Sequence, residues 1–190
     1  MRIISGTMRG KRLITLEGDA VRPTSDRVKE ALFDILQFRV EGRRFLDLFA
    51  GSGQIGLEAI SRGAAQAVLV DASQESRRVI EQNVASLGFG DRARVVPASF
   101  AGFLQGCGER FDIAFLDPPY HAGLLDEALA LTAACMAPGG IILCEHPKGQ
   151  ALPEEAGGFC KYREYRYGKV MLTSYQAPAA DGTPPEGDGL

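Results

Sequence analysis

The clearest chemical capacity in this chain lies in Asp117-Pro118-Pro119-Tyr120, which follows the apolar run Phe111-Asp112-Ile113-Ala114-Phe115-Leu116. An aromatic ring offers a stacking face for a base or an amide. Two prolines lock the backbone and remove two N–H donors, so the turn presents acceptors. The Asp117 carboxylate and the Pro118 carbonyl, aimed at one point, can accept both hydrogens of an NH2 group and draw its lone pair toward an electrophile. No general base is needed for that step. A strand end followed by a plain Pro-Pro turn would use the same residues, so the rest of the chain has to decide.

A second stretch, Gly51-Ser52-Gly53-Gln54-Ile55-Gly56, follows an apolar strand and opens a helical pattern. Its glycine spacing is that of a dinucleotide fingerprint, and Asp71 stands where a ribose-binding acid is expected. An NAD-dependent dehydrogenase fits that spacing. Asp47 points elsewhere: an acid in the strand before the glycines does nothing for a pyrophosphate but would hold a cationic amino-acid moiety. With the acceptor turn at Asp117, this favours S-adenosylmethionine, whose ammonium suits Asp47 and whose ribose hydroxyls suit Asp71. Gly51 and Gly53 let backbone approach closely. A strand acid paired with Arg22 or Arg27 is the structural alternative for Asp47.

The elements that must position these residues follow from periodicity. From residue 45 the chain alternates apolar strand, small-residue turn and amphipathic helix: strand 45–49 and a helix to about Arg62, strand 68–70 and a helix over 73–87, then strand 94–96 leading to Ser99 and a short helix through Leu104. Strand 111–116 precedes a helix over 124–136, and strand 140–145 follows. Such alternation predicts a mostly parallel sheet with helices on both faces. Residues 160–175 read as two strands around Gly168, an antiparallel hairpin. Residues 2–4 and 12–16 read as a small basic hairpin. After Pro23, capping at Thr24 or Ser25 and apolar Val28, Ala31, Leu32, Ile35 and Leu36 predict a helix. The expected organisation is a basic hairpin and helix over 1–40, a catalytic domain over 41–176, and a disordered Ala/Pro/Gly/Asp tail over 177–190.

Composition sets outer bounds. With 190 residues, 45% hydrophobic and 24% charged, the chain reads as one soluble domain. Neither a membrane span nor a signal peptide is legible, so a cytoplasmic location is expected. Four cysteines without C-x-x-C pairing and two histidines predict neither a metal site nor a disulfide framework. Net charge is −3, yet residues 1–44 hold ten basic and six acidic side chains, +4, leaving −7 for the remainder. An acidic body with a basic N-terminal segment can meet a polyanion on one face. Arg9, Lys11, Arg12, Arg22 and Arg27 are the candidate contacts to such a polyanion, with Lys161, Arg163 and Arg166 between Tyr162, Tyr165 and Tyr167 as a second surface.

Leu46-Asp47-Leu48-Phe49-Ala50-Gly51-Ser52-Gly53 together with Asp117-Pro118-Pro119-Tyr120 resembles the S-adenosylmethionine-dependent amino-group methyltransferases. More narrowly, Arg2-Ile3-Ile4-Ser5-Gly6, Arg9-Gly10, the run from Arg22 to Phe33 and Gly56-Leu57-Glu58-Ala59-Ile60-Ser61-Arg62-Gly63-Ala64 resemble the bacterial RsmD family, over Arg2 to about Tyr175. The resemblance implies a seven-stranded Rossmann-like methyltransferase fold. It implies methylation of the exocyclic N2 of a guanine in 16S ribosomal RNA, within the small subunit or its assembly intermediate, by a monomer. It places the cofactor against Asp47, Phe49, Ala50, Gly51, Ser52, Gly53, Asp71, Ala72, Ser99 and Phe100, and the target base at Asp117, Pro118, Pro119 and Tyr120. Three positions depart from the family pattern: Ser99 for an acid, Met8 for Trp, Tyr120 for Phe. Adenine-N6 and protein-glutamine methylation would use the same acceptor turn, and a non-enzymatic assembly binder would use the same basic face.

Overall fold

The computed structural model describes residues 1–16, 25–119 and 123–177. Eight strands form one sheet in the order β3-β2-β1-β4-β5-β8-β7-β6. Five are mutually parallel: β1 (Arg44–Leu48), β2 (Gln66–Asp71), β3 (Ala93–Pro97), β4 (Phe111–Leu116) and β5 (Met136–Pro147). β6 (Glu155–Ala156), β7 (Phe159–Tyr167) and β8 (Val170–Gln176) complete it antiparallel. The order reverses between β1 and β4, and the carboxyl ends of strands at such a switch point form a ligand crevice. One strand more than expected is present because Glu155 and Ala156 pair with Cys160 and Phe159 at the sheet edge.

Both faces of the sheet are apolar and covered, as a parallel sheet requires. On one face Phe45, Leu69, Phe115 and Leu143 pack with α1 (Asp26–Ile35), α2 (Gln54–Ser61) and α3 (Gln74–Leu87). On the other, Leu46, Val70, Leu116 and Cys144 pack with α4 (Phe100–Gln105) and α5 (Leu124–Ala133). Ser25 caps α1 through its hydroxyl, which accepts from Val28 N at 3.3 Å, and Ser73 caps α3 in the same way onto Ser76 N. The described residues before β1 share this core: Ile3, Leu13, Leu32, Phe33 and Leu36 are buried in the same cluster as Phe45 and Ile60.

Two expectations shift. The helix expected over 124–136 ends at Ala133, and the fifth strand begins at Met136, because Met136 pairs with Phe111 and Cys135 O accepts from Phe111 N at 2.9 Å. Sheet pairing here overrides helical propensity. The N-terminal hairpin forms an isolated antiparallel bridge, Arg2 with Arg12, rather than two strands, its arms joined by backbone hydrogen bonds from Ile3 N to Lys11 O, Gly10 N to Ile3 O and Leu13 N to Met1 O. The expected tail lies almost wholly outside the described residues, and no helix among them is long and apolar enough to cross a membrane.

Candidate active site

The glycine turn leaves β1 by a sharp reversal. Phe49 has φ 75°, a left-handed value rare for a residue with a side chain, and Gly51 and Gly53 follow at 55° and 77°. The amides of the turn find their acceptors within the fold. Phe49 N and Ala50 N donate to Val70 O at 3.0 and 2.9 Å, Gly53 N to Ala50 O at 2.7 Å. Gly51 N donates to Asp71 Oδ2 and Gly56 N to Asp47 Oδ2, each at 2.8 Å. The glycines differ in purpose. A Cβ on Gly53 would meet Leu69 Cδ2 at 2.9 Å and one on Gly56 would meet it at 3.0 Å, whereas the space beside Gly51 is open. Two glycines therefore seat the turn on the core, and the third leaves its outer side clear.

Phosphate-binding glycine turns aim their amides outward at an anion. Here two of those amides are spent on carboxylates. Asp47 is 2% exposed, and burial pushes its carboxyl up to about 7; the Gly56 N–H opposes this, while Asp117 and Asp71 add to it. Among the described residues no cation pairs with Asp47. Asp47 is thus a strut under the turn and, when ionised, a source of negative field. Gln54, buried at the first position of α2, keeps its side-chain oxygen without a hydrogen-bond donor among the described residues. A crevice of this kind repels a pyrophosphate and accepts a cationic ligand, which fits the sulfonium and ammonium of S-adenosylmethionine and not NAD.

The remaining expected cofactor residues ring the same crevice or its rim. Asp71 ends β2, half-buried, and its other oxygen accepts from Ser73 N at 2.8 Å. Each of its oxygens keeps a lone pair for a ribose hydroxyl. Ala50 and Ser52 are buried in the turn, and Ala72 is exposed beside Asp71. Ser99 caps α4, its Oγ accepting from Gly102 N at 3.1 Å. Phe49 and Phe100 face one another with ring centroids 5.3 Å apart. The left-handed backbone at Phe49 is what directs its ring toward α4.

The acceptor corner lies one strand away at the same level. Leu48 pairs with Leu116, so Phe49 and Asp117 leave adjacent strands side by side. Asp117 is half-buried, Pro118 buried and Pro119 exposed. Tyr120 lies outside the described residues, as does Arg22. On the far side of β4, Leu116 pairs with Cys144, which puts Glu145 beside Asp117. Glu145 is 5% exposed, and no short motif in the sequence marks it. Its only signal is an acid closing the apolar run Ile141-Ile142-Leu143-Cys144.

The N-terminal arm is fastened over α2 by polar groups that sequence reasoning also missed. Glu58, fully buried, accepts from Ile4 N at 2.8 Å, Ser5 N at 2.9 Å and Arg62 Nε at 2.8 Å. Lys29, equally buried, lies 3.6 Å from Glu58 Oε2 and donates to Arg2 O at 2.6 Å. Burial lowers the Lys29 pKa; Glu58 and Asp26 pull it back up. Asn83 spans the arm and the glycine turn: its amide nitrogen donates to Ile14 O at 2.9 Å and Ser52 O at 3.0 Å, and its oxygen accepts from Ile14 N at 2.8 Å. Gly6 is pressed on Ser61, where a Cβ would lie 1.8 Å from the carbonyl oxygen. Met8 packs half-buried against the core, while Arg9, Lys11, Arg12 and Arg27 are exposed. On the C-terminal hairpin, Tyr165 and Tyr167 turn toward the core and Lys161 is engaged by Leu152 O and Glu154.

Comparison with known proteins places this geometry in context. The profile of a family described as conserved hypothetical protein 95 matches residues 1–176. Ribosomal RNA small subunit methyltransferase D of Escherichia coli (strain K12) is 37% identical over 181 residues, covering 94% of this chain and 91% of that protein. The Haemophilus influenzae protein of the same name is 33% identical, covering 87% and 93%. Among solved structures, Escherichia coli yhhF superposes with a TM-score of 0.84 at 37% identity, covering 93% of this chain and 97% of that one. A Thermus thermophilus 16S rRNA N2 G1207 methyltransferase in complex with AdoMet and guanosine shares the fold at a TM-score of 0.66 and 22% identity, covering 81% and 44%.

Proposed function

Since the chain belongs to the conserved hypothetical protein 95 family, which includes ribosomal RNA small subunit methyltransferase D, we propose that this S-adenosylmethionine-dependent 16S rRNA methyltransferase acts on the exocyclic N2 of a guanine. The observation that carries the reading is positional. A cation-accepting crevice and an NH2-accepting corner leave adjacent strands at one level, at Phe49 and Asp117. The Thermus thermophilus enzyme of the same fold, which methylates a guanine N2, is a precedent for that chemistry on this scaffold.

When bound, S-adenosylmethionine supplies an electrophilic methyl group on a sulfonium. Asp47 provides negative field from beneath the turn, Asp71 accepts the ribose hydroxyls, and Phe49 with Phe100 forms an aromatic wall for the adenine. The open side of Gly51 lets the ligand lie against backbone. Asp117 and the Pro118 carbonyl accept the two amine hydrogens, and Tyr120 stacks on the base. This holds the N2 lone pair out of conjugation and toward the methyl group. Taking the base out of its stack costs a few kcal/mol, less in an unpaired loop. After transfer, Asp117 receives the proton from N2 and releases it to solvent through its half-exposed side. The exposed arm residues Arg9, Lys11, Arg12 and Arg27 contact RNA phosphates of the small subunit or its assembly intermediate. A monomer in the cytoplasm suffices for each of these roles.

Asp117→Ala removes the charged acceptor and should lower single-turnover methylation about 10²–10³-fold while S-adenosylhomocysteine affinity stays within a few-fold. Mass spectrometry of digested 16S RNA, with and without the active gene, should show one N2-methylguanine lost with the gene. A variant that methylates at the normal rate removes Asp117 from the mechanism.

A further inference from the structure

Glu145 is a buried acid for which the reaction as described has no use. It leaves β5 beside Asp117, since Leu116 and Cys144 are paired neighbours. Phe115 and Leu143 pack in one core layer, Leu116 and Cys144 in the other. Strand alternation therefore brings Asp117 and Glu145 to the same side of the sheet, the side on which Asp47 lies two residues after Phe45. His146, on the opposite face, is occupied by Thr173 at 2.7 Å. Two carboxylates at strand spacing, about 4.8 Å apart in backbone, flank the place where the reading above puts the amine.

The guanine edge presents donors in a row, the N2 amine and then N1–H. Adenine presents an acceptor at N1 instead, which a carboxylate repels. We infer that Glu145 accepts the N1–H of the target base and thereby selects guanine, working beside the Asp117 and Pro118 acceptors that hold N2. The inference rests on guanine N2 being the methyl acceptor. Glu145 has contacts inside the fold, and an ionised carboxylate offers about four lone-pair sites, so it can keep them and still take N1–H. A site built to pair a base donor strongly rejects an analogue lacking it, because a buried acceptor is then left unpaired.

The test uses small subunits reconstituted with 16S RNA carrying 2-aminopurine in place of the methylated guanine. That base keeps the C2 amine but has neither N1–H nor O6. Wild-type kcat/KM should fall on the order of 100-fold on 2-aminopurine. In Glu145→Ala the guanine rate should drop by about the same factor and the 2-aminopurine rate should change less than about threefold, so discrimination collapses. In Glu145→Gln, whose amide oxygen still accepts N1–H and whose nitrogen can donate to N1 of 2-aminopurine, discrimination should narrow with more of the guanine rate retained. S-adenosylhomocysteine affinity should be unchanged in both. The inference is overturned if wild type methylates both bases equally, or if variants that bind S-adenosylhomocysteine normally lose both substrates in proportion. If wild-type protein leaves guanine N2 unmodified altogether, the proposed function fails and the inference with it.

Discussion

Two buried acids eleven residues apart, Asp47 at the end of β1 and Glu58 in α2, sit in opposite electrostatic situations. Glu58 meets two cations, Lys29 and Arg62, and two arm amides, Ile4 and Ser5. Asp47 meets one amide and, among the described residues, no cation; its neighbours Asp117 and Asp71 are acids. The first acid is neutralised by the fold and serves as a clasp. The second, once ionised, carries a charge that no described cation balances, which is the condition of a site that expects a positive ligand. Partners, more than burial, separate structure from function here.

The most damaging way to break the comparison is Glu58→Ala, which strands Lys29 as a buried cation. Chemical denaturation should show a loss of about 3–5 kcal/mol, with cofactor affinity of the folded fraction little altered. A stable Glu58 variant that had lost its cofactor would reverse the two roles.

Asp47→Asn tests the other acid through pH. Because folding raises the Asp47 pKa, its favourable contribution is present below its usual value of 3.8 and is lost as pH rises to about 7. Each unit of displacement is worth about 1.4 kcal/mol. The asparagine variant should therefore gain stability relative to wild type through that window. Its cofactor affinity should be lower and flat with pH, while wild-type affinity should rise through neutrality as Asp47 ionises. Parallel stability curves for the two proteins would contradict this assignment.

Asn83→Ala touches both regions, since the amide bridges Ile14 and Ser52. Leaving those groups unpaired should cost about 1–3 kcal/mol and weaken cofactor binding several-fold by loosening the turn. The smallest stability effect, within about 0.5 kcal/mol, is expected for Arg9→Glu with Lys11→Glu. Their effect should appear instead in RNA binding, with the salt-dependence slope falling by about 0.9 or less for each phosphate no longer neutralised. The same reversal at Arg163 and Arg166 should change binding less. On that hairpin Arg163 lies over the Tyr165 ring, 5.4 Å from its centroid, and Tyr165 and Tyr167 pack against the core.

Much of this is legible in the chain alone. The alternating strands and helices announce a parallel sheet, and the Asp117 turn and glycine run mark its carboxyl edge, because both signals are local in sequence. Asp47 is legible as an acid out of place in an apolar strand, but not that its oxygen holds Gly56 N. The start of β5 at Met136 is hidden, since pairing with Phe111 across the sheet decides it. Glu58 and Asn83 give no signal because each acts on residues far along the chain, Glu58 on Ile4 and Ser5 and Asn83 on Ile14. Glu145 gives only the faint one of an acid closing an apolar run, since its place beside Asp117 is set by the register of β4 and β5.

Sequence by itself determined the residue chemistry and the order of elements, since side-chain type, turn glycines and hydrophobic period operate over a few residues. Only the tertiary structure decided which acids are balanced by cations and which meet other acids instead. That outcome depends on the parallel register of β1, β4 and β5 and on an arm folded back over α2, distances that no local pattern encodes.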